Sequence, residues 1–151
     1  MAEPIEISLK ERKKLAEEDF DYWFSSASDF YEGFEFYTGK GKYNLSAFQL
    51  HQVTERLYGT ILLVFTRYKP STHDIEKLGH RVSSIEPRFL TIFPRSTEEE
   101  KEKFKLLRKA YVDARYKPSY SITKEQLDWL AERIQELQAL TEKLCKEKIA
   151  S

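Results

Sequence analysis

Several things are nearly absent from this chain. Cys145 is its only cysteine. An intramolecular disulfide is impossible, and a cysteine-built zinc site within one chain is excluded. Net charge is absent too: 25 basic residues meet 25 acidic ones, so there is no bulk attraction to phosphate, which argues against broad nucleic-acid binding. The longest apolar run, Ile61 to Phe65, is far too short to span a bilayer. Met1-Ala2-Glu3-Pro4-Ile5-Glu6 contains no apolar segment of a secretory signal. No internal repeat, low-complexity tract or dividing linker is visible. The expectation is one cytoplasmic domain over residues 1–151, with no membrane association and no cofactor.

The balanced charge hides a split. Residues 6–35 hold nine acids and four bases, whereas residues 101–117 hold seven bases and two acids. Apolar residues recur at helical spacing. Ala16, Phe20, Trp23, Ala27, Phe30 and Phe34 form one stripe, introduced by Ser8 as a cap with Glu11 as its capping-box partner. A second helix starts near Asn44 or Ser46 and runs to about Arg67, with Pro70 as its stop. Its interior Gly59 costs up to ~1 kcal/mol relative to alanine, which a close helix crossing would explain. Ser71 or Thr72 caps a short third helix from Asp74 to about Ser83, and Ile85 to Pro94 reads as irregular. Ser96 with Glu99 opens a helix carrying Phe104, Leu107, Tyr111 and Ala114, which Pro118 ends. Thr123 with Gln126 opens the last helix. Long helices are thus expected at roughly 8–36, 45–67, 97–116 and 124–148, in an all-α up-and-down bundle with one further short helix. No strict alternation competes with this pattern.

Three places combine chemistry with periodicity. Gln52, Glu55 and Gly59 share a face with Phe48, and Arg56 lies beside it. Glu55 and Arg56 are adjacent and do not face one another, so Glu55 needs a partner elsewhere. A fully satisfied buried polar network and a ligand or subunit site both answer that need. His73 and Asp74 open the short helix, where capping and docking explain them as well as a site does. His80 is seven residues beyond His73, too far for a two-histidine metal site without another ligand. Arg115, Tyr116 and Lys117 close a basic helix. They suit either a base-and-phosphate contact or the negative end of that helix. Arg67 and His73, with five residues between them, have the chemistry of an RNase pair, but Pro70 sets a helix end between them. Gly39-Lys40-Gly41-Lys42 lacks the pattern of a phosphate loop.

In this order and spacing the chain resembles a HEPN domain (higher eukaryote and prokaryote nucleotide-binding) from about Leu15 to Leu144. The resemblance rests on Ala16-Glu17-Glu18-Asp19-Phe20, on Ala47-Phe48-x3-Gln52-x2-Glu55-Arg56 and on Thr72-His73-Asp74-Ile75. It also rests on Ala114-Arg115-Tyr116-Lys117, where Lys117 stands in place of a proline and Pro118 follows. It implies a bundle of four or five helices, usually a homodimer, often beside or fused to a minimal nucleotidyltransferase of the toxin–antitoxin or antibiotic-modifying type. One branch of the family is metal-independent RNases with an Arg-x4–6-His motif late in the bundle. No histidine follows His80 here, so the resemblance is to the non-nuclease branch. The expected ligand-binding residues are Gln52, Glu55, Arg56, His73, Asp74, Arg115 and Tyr116. The expected partners are a second copy, a nucleotidyltransferase domain and a nucleotide, with no catalysis by the chain alone. An RNase and a purely structural dimerisation domain are the alternatives.

Overall fold

The structure, a computed structural model, describes residues 8–151. The N-terminal hexapeptide lies outside the described residues. Every regular element among them is helical. The first helix, α1, spans Leu9–Gly39. Ser8 caps it by accepting from the Glu11 N–H at 3.1 Å, without the reciprocal half of a capping box. Ala16, Phe20, Ala27 and Phe34 are its buried residues. Gly41, at φ +72, turns the chain back at little steric cost.

The second helix, α2 (Tyr43–Thr66), is the central element. Leu50, Val53, Leu57 and Ile61 are wholly buried. It packs along α1 and against the third and last helices. Its end is set by Arg67 in the left-handed conformation (φ 62), whose N–H bonds the Leu63 carbonyl at 3.1 Å, not directly by Pro70 three residues later. Gly59 fits a close crossing. A Cβ there would sit 3.3 Å from the Trp23 ring of α1 and 3.0 Å from the aliphatic stem of Lys69.

The third helix, α3 (Ile75–Ile85), is capped by Asp74, which accepts from the Glu76 N–H at 3.0 Å. Thr72, expected as the cap, instead accepts from the Asp74 N–H at 3.1 Å. The segment expected to be irregular holds a 3-10 turn at Pro87–Thr91, and Phe89, Ile92 and Phe93 are buried. The capping box before α4 (Glu98–Lys109) uses Thr97 with Glu100, one residue beyond the expected pair.

The penultimate helix is not continuous. After α4 the chain turns, then forms the single-turn α5 (Asp113–Tyr116). The cause is local. The Arg115 guanidinium donates to the Tyr111 carbonyl at 2.6 and 3.0 Å, while the Arg115 N–H goes to Val112 at 3.2 Å. A side chain thus takes the acceptor that a continuing helix would use. The last helix, α6 (Lys124–Ala150), starts at the expected Thr123–Gln126 box. It packs on α2, α1 and α4, completing the bundle around one core. Among the described residues no helix is long and apolar enough to cross a membrane.

Candidate functional site

The candidate residues gather where the loop after α2 crosses the middle of that helix. Glu55 is 4% exposed, and its Oε1 accepts from His73 Nδ1 at 2.7 Å. A carboxylate only accepts here, so Nδ1 carries the proton and Nε2 is the free edge of the ring. His51, one turn before Glu55, is fully buried. Its Nε2 donates to the His73 carbonyl at 2.9 Å, and its Nδ1 accepts from the Gln52 amide at 3.2 Å. Burial holds this imidazole neutral, pushing its pKa down to about 4. Gln52, His51 and Glu55 therefore form a polar network that fixes His73 by both its backbone and its ring. His73 itself remains half exposed, at 53% of its side chain.

The far face of that ring stacks on Tyr111, with centroids 4.2 Å apart and planes 16° from parallel. Tyr111 also stacks on Phe48 at 6.2 Å. The Arg115 guanidinium lies 4.4 Å from Phe48, 4.9 Å from Tyr116 and 5.2 Å from Tyr111. Arg115 thus both caps the Tyr111 carbonyl and extends the stack from His73 to Tyr116, which is 72% exposed.

His73 and Tyr111 line a cleft of about 670 Å³ between the start of α3 and the side of α4. Its other walls are largely charged. Asp74 holds Arg108 through two bonds, Oδ1 to Nε at 3.0 Å and Oδ2 to Nη2 at 2.8 Å. The Arg108 guanidinium keeps the Asp74 carboxyl below the usual carboxylate range. Glu76 lies 3.8 Å from Arg108 and 3.9 Å from Arg95. Lys105 and Lys109 also line the cleft and have no acidic partner within ion-pair distance among the described residues. The cleft joins a fixed imidazole, a stacked aromatic and free ammonium groups. That combination suits a ligand with a planar ring and phosphate oxygens.

Arg56 goes elsewhere. Its guanidinium lies 4.7 Å from the Trp23 ring and 5.6 Å from Phe30, on the α1 side of α2. The Arg67–His73 pair is separated as well, since Arg67 bonds Asp19 at 3.3 Å while His73 bonds Glu55. Sequence reasoning did not single out His51, Lys105, Arg108 or Lys109, and it placed Tyr111 with the core stripe. The basic run of residues 101–117 was the signal for the cations; nothing in helical periodicity marks a ring stacked on a loop histidine. Among the described residues no group of three or more His, Cys, Asp or Glu side chains is arranged to hold a metal.

The family model described as HEPN domain matches residues 20–144. No curated protein matches the chain.

Proposed function

Because the chain belongs to the HEPN domain family, we propose that it is a nucleotide-binding module that acts as a homodimer. It serves a nucleotidyltransferase domain supplied in trans or as a fused neighbour. The nucleotide occupies the α3–α4 cleft, with its base against the His73–Tyr111 stack and its phosphates toward Lys105 and Lys109. The observation that carries this reading is the convergence of the Glu55-held imidazole, the stacked Tyr111 and two free ammonium groups on one cleft. A side chain fixed from behind loses less entropy on binding than a mobile one. Ammonium groups without carboxylate partners have no internal ion pair to break.

Titration calorimetry with ATP and GTP tests the site. Saturable binding is expected, weakened about tenfold or more by Lys105→Ala with Lys109→Ala, which corresponds to about 1.4 kcal/mol. His73→Ala should also weaken it, while Lys143→Ala, outside the cleft, should not. Absence of binding at millimolar nucleotide removes the reading. Co-purification with the product of a neighbouring reading frame tests the nucleotidyltransferase association.

A second reading, a metal-independent RNase, draws on the same Glu55–His73 pair. An imidazole oriented by a carboxylate and facing a cationic cleft is the arrangement of a general base.

A further inference from the structure

The start of α1, the end of α2 and the end of α6 enclose a groove of about 730 Å³ that shares no lining residue with the α3–α4 cleft. Its depth is apolar. Ala16 and Val64 are buried, and Phe65 and Ile149 pack on the core beside them. Leu9, 83% exposed, also lines it. Around these apolar groups stand Lys10, Arg12, Lys13, Arg67 and Lys148, and no aspartate or glutamate lines the groove. The α3–α4 cleft, by contrast, sets Asp74, Glu76 and Asp113 among its cations. Helix ends explain only part of this charge. Arg67 and Lys148 close α2 and α6, where the negative end of a helix favours a cation. Arg67 is also paired, with Asp19 at 3.3 Å. Lys10, Arg12 and Lys13 instead crowd the positive end of α1, with Glu11 as the acid of its first turn. These three and Lys148 have no acidic partner within ion-pair distance among the described residues. The Lys148 ammonium lies 6.0 Å from the Phe65 ring, so charge and apolar surface adjoin directly.

Unpaired cations around an aliphatic hollow are complementary to a molecule with one anionic end and one hydrocarbon end. We propose that this groove binds a soluble single-chain anionic amphiphile of the fatty-acid class. The chain lies along Val64, Phe65 and Ile149, and the carboxylate sits among Lys10, Arg12, Lys13 and Lys148. The volume falls within the roughly 300–1,000 Å³ of small-molecule sites. Exposed lysines alone hold an ion weakly, so the chain supplies most of the affinity, about threefold to fourfold for each methylene buried. A nucleotide suits the groove less well, because Phe65 is the one aromatic residue lining it and no second ring stands by to form a stack. The proposal depends neither on the nucleotide reading of the α3–α4 cleft nor on the oligomeric state.

Titration calorimetry of the whole chain with octanoate, decanoate and dodecanoate, each below its micelle concentration, tests it. Saturable binding is expected, tightening about threefold to fourfold per added methylene. Decanol and decyltrimethylammonium should bind about tenfold or more weaker than decanoate, since neither brings an anion to the cations. Lys10→Glu with Lys13→Glu, both at exposed positions, should weaken decanoate by a similar factor. Lys77→Glu with Lys143→Glu, the same charge change away from the groove, should not. Circular dichroism separates lost binding from unfolding, and Lys148→Glu repeats the test from the α6 wall should the α1 pair fail to fold. Affinity that ignores chain length, or that decanol and decyltrimethylammonium share, overturns the proposal. Binding to phosphatidylglycerol vesicles with none to monomeric dodecanoate would make the cations a membrane surface and overturn it too. Decanoate binding that tightens about tenfold or more in Glu3→Gln with Glu6→Gln would assign the groove to the chain's own acidic leading residues instead.

Discussion

Glu55 illustrates what a single residue reveals and conceals. Its need for a partner is legible in the sequence, because a carboxylate in an apolar helix cannot pair with the adjacent Arg56. The identity of that partner is not legible, because His73 arrives on a loop whose path no periodicity encodes. Its partner's exposure sets the cost of losing it. His73 is half in water, so Glu55→Ala leaves a group that water can reach rather than a stranded buried charge. We expect a loss of about 1–2 kcal/mol, read as a lower denaturant midpoint, together with weaker nucleotide binding as His73 loosens. Unchanged stability with unchanged binding would mean the pair is idle. His51 makes a pH prediction. Unfolded, it titrates near 6.5; folded, burial holds it neutral down to about 4. Between those values the unfolded chain binds the extra proton. Stability contributed by the neutral ring is therefore present above pH 6.5 and lost as pH falls toward 4. The loss approaches 1.4 kcal/mol per pH unit, about 3 kcal/mol across the window. Urea midpoints at pH 7, 5.5 and 4.5 should show that slope. His51→Gln should lower stability at pH 7 and flatten the slope; an unchanged slope would place the titration elsewhere.

At the scale of elements, the helical stripes are well marked because burial of one face is what the sequence pattern records. The Thr123–Gln126 box, the central α2 and the stripe of α1 all follow from spacing alone. Ends and breaks are less visible. Arg67 terminates α2 by adopting a left-handed backbone, Asp74 displaces Thr72 as the cap of α3, and the Arg115 guanidinium takes the carbonyl that would have joined α4 to α5. Each is a competition among groups two to four residues apart, settled by side-chain geometry rather than by hydrophobic period. α4 is also lightly anchored, since Phe104 and Leu107 are its only buried side chains. Much of its attachment to α3 is the Asp74–Arg108 pair. That pair is partly solvated, with 44% of the Arg108 side chain and 21% of the Asp74 side chain exposed, so its worth to global stability is about 1 kcal/mol or less. Arg108→Ala should therefore lower the melting temperature only slightly while raising amide exchange along α4 well above that of α2. Uniform change in both helices would show that α4 does not open as a separate unit.

For the whole molecule, zero net charge combines an acidic α1 with a basic stretch at residues 101–117, and their separation gives each region its own character. The sequence makes that division visible but not its use, because the cleft at α4 exists only once the His73 loop folds against Tyr111. The same arrangement bears on RNA cleavage. Attack by a ribose hydroxyl needs an imidazole within reach of it while a cation holds the same phosphate. Of the three histidines, His51 is buried and committed at both ring nitrogens, and His80 lies within α3. Only His73 combines the free edge and the cleft, and Glu55 behind it is buried. Arg108, the nearest guanidinium to Asp74 there, is held by both of that residue's oxygens, and Arg67 is bound to Asp19. Arg95 also lines the cleft, but its guanidinium lies over the Phe104 ring at 4.3 Å and 3.9 Å from Glu76. One imidazole thus faces two unpaired lysines and no second imidazole, in a molecule with no overall pull on a polyanion. Total RNA incubated with the protein in EDTA should stay as intact as in buffer alone. Cleavage that vanishes in His73→Ala and survives in Arg67→Ala would overturn this, and would make the Glu55–His73 pair a catalytic one.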